Sequence, residues 1–397
     1  MRNLFKQVQG WFVATTLVEA GVMETEEPDR SARRLSPAIV QKLSLAIAEL
    51  PLPQVHQIQL RSQIDQAVTQ WRSDPKAPNH LVIIADPTEP LEKYRRWVLD
   101  QPDWASVALL SDWHRRPQDY TTIADKLAQA IETAQAAGEP GQLVVLPSLD
   151  QCFLRCADGL AAIDYLRDAI AGDRHHFWVL SCNQWAWQYL DSVCHTRAYF
   201  QQTLTIPKLD GWALRRWLLP LNANVEYPFA TAEQVQPAPK PPQQSDSETA
   251  EAWASELEEQ YFTALATAAG GISQVAAALW LTSLCHQESE KTAETAAQET
   301  VESREYHSVV LKDLAFPELP SLTADDRYLL FSLVLHRSID ISDLALTLGD
   351  SLEQVTSQAW PLLQQDVIAI APLGYQLNPA YYLLVRANLR RNNFVVD

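Results

Sequence analysis

Between residues 79 and 206, short apolar runs alternate with longer stretches of helical periodicity. The runs are LVIIA (81–85), SVALL (106–110), QLVVL (142–146), FWVLS (177–181) and QTLTI (202–206). Short apolar runs without in–out alternation, such as LVIIA and FWVLS, read as strands buried on both faces. Helical patterns fall around 89–100, 120–137, 157–171 and 184–193. Helices between buried strands supply the crossovers of a parallel sheet. The pattern therefore predicts an α/β domain with five parallel strands. Two helices precede it in 35–75, joined at Pro51 and Pro53. Two more follow within 251–285, where Leu257, Tyr261, Leu265, Val275 and Leu279 are spaced apolar positions and Gly270-Gly271 makes the break.

Residues 322–397 read helix, helix, helix, hairpin, helix. Thr323 opens the first helix. Ser351 is placed to cap the third, with Glu353 in its first turn. VIAIAP-LGY-QLN forms a hairpin turning at Gly374. The expected domains are an N-terminal amphipathic helix and linker (1–34), the α/β domain (35–227) and a Pro/Gln/Ser-rich linker (228–250). A helical lid (251–286), an acidic flexible insertion (287–305) and a C-terminal domain (306–397) follow.

Composition narrows the function. The chain has 397 residues and a formal charge of −18. Residues 228–320 hold 4 Lys+Arg against 15 Asp+Glu and so supply −11 of it. Backbone-driven nucleic-acid binding needs Lys and Arg on phosphates, and this balance argues against it. No uncharged apolar run reaches the roughly 20 residues of a membrane span. No basic-then-apolar leader is visible. The five cysteines, Cys152, Cys156, Cys182, Cys194 and Cys285, are odd in number and lack a C-x-x-C pair. They read as buried thiols of a reduced, cytoplasmic protein rather than a disulfide framework or zinc site.

The first strand-turn-helix reads LVIIA-DPTEPLE-KYRRWVL (81–99). A phosphate-binding loop at this place reads G-x-x-x-x-G-K-[ST]: glycines let backbone N–H groups close on phosphates, the Lys reaches the terminal phosphates, and the hydroxyl binds magnesium. Here the eight positions are Ala85, Asp86, Pro87, Thr88, Glu89, Pro90, Leu91 and Glu92. Pro90 removes a donor and the needed flexibility. Leu91 stands for the Lys and Glu92 for the hydroxyl residue. The third strand, whose end supplies carboxylates for magnesium in such enzymes, reaches Pro147 and Ser148; Asp150 beyond them reads as a cap for the next helix. The fourth ends at Asn183, in the place of a polar sensor of the terminal phosphate.

The order of these elements over about 55–285 resembles the AAA+ and related signal-transduction (STAND) ATPases. The resemblance implies a P-loop-NTPase-like sheet with a helical lid, followed by an α+β winged-helix domain. A lid arginine sensor is not evident where Gly271, Ile272, Ser273 and Gln274 stand. With the loop, second motif and lid sensor degraded, the expectation is a non-enzymatic, ATPase-like scaffold or adaptor without a cofactor. The alternative is an ATP- and magnesium-binding regulator, or a DNA-associated ATPase, with divergent motifs.

The third winged-helix helix, about 352–365, contains Glu353 and no Lys or Arg, which favours protein over DNA contact. Arg386, Arg390 and Arg391 sit at a helix end, where they complement its dipole. Trp178, Trp185 and Trp187 surround Asn183 and suit a stacking platform for a base, but such clusters are more often core or interface anchors. In 2–23, Leu4, Phe5, Trp11 and Phe12 share an apolar helical face flanked by Arg2 and Lys6. That face suits a protein partner or a membrane surface, or packs on its own domain.

Overall fold

The structure, a computed structural model, describes residues 33–110, 113, 116–137, 141–224, 253, 256–286, 309–311, 314 and 316–394. The N-terminal helix with Leu4, Phe5, Trp11 and Phe12, the linker around 235–248 and the acidic stretch 287–305 lie outside them. The chain divides into two compact units. One holds residues up to Pro51 together with Leu209–Phe316; the other holds Leu52–Lys208 together with Pro317–Asp397.

The second unit contains the sheet. Its elements are α1 (Gln54–Ser73), β1 (His80–Ala85), α2 (Leu91–Leu99), β2 (Ser106–Ala108), α3 (Ile123–Ala137), β3 (Leu143–Val145), α4 (Ala161–Gly172), β4 (Phe177–Asn183), α5 (Gln184–Cys194) and β5 (Thr203–Thr205). The strand order is β2-β3-β4-β1-β5, and every pairing is parallel. This is a five-stranded parallel, P-loop-NTPase-like sheet, as the resemblance implied.

Side chains of a strand alternate between faces. Val82 and Ile84 of β1 join Trp178, Leu180 and Cys182 of β4 in a core covered by α3, α4 and α5. Leu81, Ile83 and Ala85 join Phe177 and Val179 in a second core covered by α1 and α2. Two covered faces explain why the central strands read as uninterrupted apolar runs. The three tryptophans around Asn183 are buried in this packing.

The same unit continues with α6 (Ala324–His336), β6 (Ser338–Ile339), α7 (Ile341–Leu348), α8 (Leu352–Gln364), β7 (Ile368–Ala371), β8 (Gly374–Leu377) and α9 (Tyr382–Arg391). The strands form an antiparallel sheet in the order β7-β8-β6, which makes this a winged helix. Thr323 and Ser351 close capping boxes with Asp326 and Gln354. Gly374 starts β8 at φ +116; a Cβ there would lie 2.3 Å from the Ile339 carbonyl oxygen. The winged helix packs directly on the sheet: Leu335 of α6 belongs to the core of α3, α4 and α5.

The first unit holds helices Pro37–Glu49, Gly211–Leu218, Glu256–Ala268 and Ser273–Thr282. It also has a small antiparallel sheet of Arg33–Arg34, Leu284–His286 and Val309–Leu311. The helix Pro37–Glu49, placed with the α/β domain by sequence, clusters with the lid helices instead. The sheet had no counterpart in the sequence reading, because its strands are two or three residues long and far apart in the chain.

Gly211 lets two lid helices meet: a Cβ there would lie 2.8 Å from the Thr263 nitrogen and 2.9 Å from the Phe262 carbonyl carbon. Both are backbone atoms and cannot rotate away. Gly211→Ala is expected to destabilise this unit by about 2 kcal/mol, the usual scale of overpacking. Chemical denaturation followed by Trp fluorescence measures it; an unshifted midpoint would contradict the close approach.

Candidate functional site

The site lies at the carboxyl ends of β1 and β4, where Ala85 pairs with Asn183. In doubly covered parallel sheets, ligands bind at this edge. The loop from Asp86 to Pro90 closes largely on itself. The Glu89 N–H donates to the Asp86 carbonyl at 2.9 Å, and the Leu91 N–H donates to the Glu89 carbonyl at 3.0 Å. Pro87 and Pro90 have no N–H. Four of the eight positions 85–92 thus offer no N–H to a ligand, whereas a phosphate loop converges its N–H groups on the anion. Leu91 is buried in the core, and Glu92 lies 3.7 Å from Arg95 in the first turn of α2. The Thr88 hydroxyl is buried without a hydrogen-bond partner.

What the loop does offer is acceptors, and an arginine takes them. Arg337 Nε donates to the Pro87 carbonyl at 3.1 Å, and its Nη2 donates to the Glu89 carbonyl at 3.0 Å. Its Nη1 lies 3.8 Å from the Asp150 carboxylate. Arg337 joins α6 to β6 at φ 62°, ψ −53°, close to the rare, strained γ-turn values. Strain of this kind costs on the order of 1–3 kcal/mol and survives only where contacts over-determine it. Hydrogen bonds to a charged group, about 1.5–3 kcal/mol each, are of the size needed to offset it.

The other polar groups at this edge are also engaged. Asp86 pairs with Lys208 and accepts from the Tyr382 hydroxyl at 3.3 Å. Burial, then the Asp86 charge, pushes the Tyr382 hydroxyl pKa up, so it remains a donor. Asn183 Oδ1 accepts from the N–H groups of Trp185 and Ala186, capping α5, while Nδ2 donates to the Leu335 carbonyl at 2.7 Å. Asp150 is fully buried in a short 3-10 turn, Leu149–Gln151. It accepts from the Ser148 hydroxyl and from Gln151 Nε2. It therefore does not cap the next helix, as its position had suggested; it faces Arg337.

A second arginine sits beneath. Arg116 is buried and pairs with buried Asp343 of α7 at 3.3 Å. It donates to the carbonyls of Phe153 at 2.8 Å and Asp150 at 2.6 Å, and its Nη2 lies 2.9 Å from His336 Nδ1. Burial first, then the Arg116 charge, holds the His336 pKa well below the ordinary value. The neutral ring then presents Nδ1 as the acceptor. Arg155 adds a bond from Nη2 to the Thr347 carbonyl at 3.1 Å.

On the other side of the loop, the Tyr94 hydroxyl lies 3.1 Å from Glu89 and 2.9 Å from His56 Nδ1. His56 Nε2 lies 3.1 Å from the Pro207 carbonyl. Burial lowers the His56 pKa to about 4, against the pull of that carbonyl.

The structure thus gathers Ala85–Glu92, Ser148 and Asn183 at one edge. It adds Arg337, Arg116, His336, Asp343 and Tyr382, none of which the sequence reading assigned there. All but Arg116 come from a domain more than two hundred residues downstream, and no local motif announces such a contact. Among the described residues, no group of His, Cys, Asp and Glu is arranged to hold a metal ion.

No protein-family model matches the chain, and no curated protein matches it in sequence. Solved structures similar to it include two single-substitution variants of RuvB from Thermotoga maritima, each 13% identical. Each comparison covers 82% of this chain and 93% of the other, with TM-scores of 0.32 and 0.33. Another is the Aeropyrum pernix Orc1 protein in complex with DNA: 12% identity, 86% and 94% coverage, TM-score 0.38. The class that the strand order and the small antiparallel sheet define is a P-loop-NTPase-like α/β fold followed by a winged helix. Among the described residues, no helix is long and apolar enough to cross a membrane.

Two outcomes are expected. Arg337→Ala removes the guanidinium but keeps the strained backbone, whereas Arg337→Gly removes both. Each should lower the denaturation midpoint of the sheet–winged-helix unit, with Gly milder than Ala by roughly 1 kcal/mol; the reverse order would disprove the strain. The second concerns pH. His56 and His80 titrate near 4 when folded, His80 through burial alone, against 6.5 for the free group. The unfolded chain binds more protons between those values, so stability is full above pH 6.5 and falls as pH drops toward 4. The loss is at most about 3 kcal/mol per histidine. Melting temperatures measured from pH 7.5 to 4.5 check this; a flat profile would contradict it.

Proposed function

We infer that the chain is a catalytically inactive, ATPase-like scaffold that works through protein contacts, with its nucleotide edge given over to holding its own winged helix. The observation that carries this reading is the Arg337 guanidinium on the Pro87 and Glu89 carbonyls. A phosphate binds where N–H groups and cations converge. This loop turns carbonyls and the Asp86 carboxylate to the edge, where the Asp150 carboxylate of the turn Leu149–Gln151 also lies. Those groups fit a guanidinium and do not fit a triphosphate. Leu91 supplies no ammonium, and Asn183 spends both ends of its amide inside the protein. The absence of Lys and Arg from α8 supports protein rather than DNA as the partner. On the same reading, Leu4, Phe5, Trp11 and Phe12 offer further apolar anchors.

Calorimetric titration of the full chain with magnesium-ATP tests this. No binding heat, no nucleotide-dependent rise in melting temperature and no ATP hydrolysis are expected. Placing Gly at Pro90 and Lys at Leu91 together should not create hydrolysis, since Pro147 and Ser148 carry no carboxylate and Asp150 is already engaged. Tight magnesium-ATP binding by the unaltered chain would overturn the reading.

A further inference from the structure

One outward row of α8 carries two large exposed apolar side chains. Leu352, Thr356 and Trp360 recur every four residues and so line up along the helix. Leu352 is 51% exposed and Trp360 is 61% exposed, while Val355, Ala359 and Leu362 on the opposite side are buried. Among the described residues, Trp360 is the one exposed tryptophan. Tryptophan dominates binding energy where it is buried by a partner.

Charge says what kind of partner. From Ser338 to Val385 the chain has no Lys, Arg or His, and it has Asp340, Asp343, Asp350, Glu353 and Asp366. Asp343 is consumed by Arg116, but Asp350, Glu353 and Asp366 are exposed around the two ends of α8. We propose that this face docks a basic amphipathic helix of a protein partner, whose apolar row covers Leu352 and Trp360 and whose Lys or Arg side chains meet Asp350, Glu353 and Asp366. The proposal rests on the scaffold reading and gives its partner a chemistry. Duplex DNA would bring phosphates to a face with carboxylates and no cation. A second copy meeting this one face to face would set the same carboxylates against each other.

Fluorescence anisotropy on the full chain, at about 150 mM salt, tests it with three labelled probes. These are an amphipathic Leu/Lys helical peptide, its Leu/Glu counterpart and a short DNA duplex. The Leu/Lys peptide is expected to bind, and the other two are not. Trp360→Ala and Leu352→Ser should each weaken binding about fivefold or more. The double variant Glu353→Gln, Asp366→Asn should weaken it and flatten its salt dependence. Asp366 sits at φ 55°, which Asn tolerates. Melting curves report whether each variant is folded, and the charge variant reads the face even if Trp360→Ala is not. Failure of the Leu/Lys peptide to bind overturns the proposal. So does binding unmoved by Trp360→Ala, equal binding of the Leu/Glu peptide, or Trp360-dependent binding of the duplex. None of these outcomes bears on magnesium-ATP, whose titration tests the scaffold reading separately.

Discussion

The architecture at the sheet edge depends on one interaction, a guanidinium held by backbone carbonyls. Arg337 bonds to Pro87 and Glu89 in the turn after the first strand. In the phosphate-binding version of this turn, glycines let the peptide planes rotate their N–H groups toward the ligand. Here Pro87 and Pro90 fix two φ angles, and the N–H groups of Glu89 and Leu91 close on carbonyls of the loop itself. The loop keeps its position in the fold but reverses its polarity. An edge that offers acceptors and carboxylates must be neutralised by a cation, and the chain provides one from its own winged helix.

That solution has an electrostatic cost, met by extensive pairing. Arg116 and Asp343 are both buried, and removing either partner of such a pair leaves an uncompensated charge in a low-dielectric interior. The remaining donors of Arg116 therefore go to the Phe153 and Asp150 carbonyls and to His336. His336 must stay neutral to accept from a cation, and burial beside Arg116 keeps it so. The α2 helix start follows the same logic. Its dipole favours negative charge, and Glu89 and Glu92 stand there.

Much of the sheet was legible in the sequence, because both of its faces are covered. A strand such as LVIIA, buried throughout, announces itself by apolar β-branched residues alone. The capping residues Thr323 and Ser351 and the turn at Gly374 were legible because each acts within a few residues. The departures of Pro90, Leu91 and Glu92 from a phosphate loop were visible one position at a time. What fills the edge was not. Arg337 lies about 250 residues from its carbonyl partners, and a single arginine after a helix reads as an ordinary surface cation. Asp150 reads as a cap for the same reason: it stands two residues past Ser148 and before a helical stretch, and its partners Arg116 and Arg337 are set by tertiary packing. The strands Arg33–Arg34 and Val309–Leu311 are too short to carry a periodic signal.

Placing the winged helix against the sheet edge decides which of its surfaces remain for other work. The α6 end is spent: Leu335 and His336 are inside, and Asn183 holds the Leu335 carbonyl. The start of α9 is spent as well, since Tyr382 is buried with its hydroxyl on Asp86. The outward row of α8 stays exposed with a tryptophan on it. In a nucleic-acid reader, this helix would carry the cations. Here Arg337 lies on the loop, and Arg386, Arg390 and Arg391 lie on α9 rather than on α8. The same distribution of charge that neutralises the sheet edge thus leaves the outer helix acidic and apolar. On the scaffold reading, the internal lock and the external docking face are two consequences of one allocation of cationic side chains.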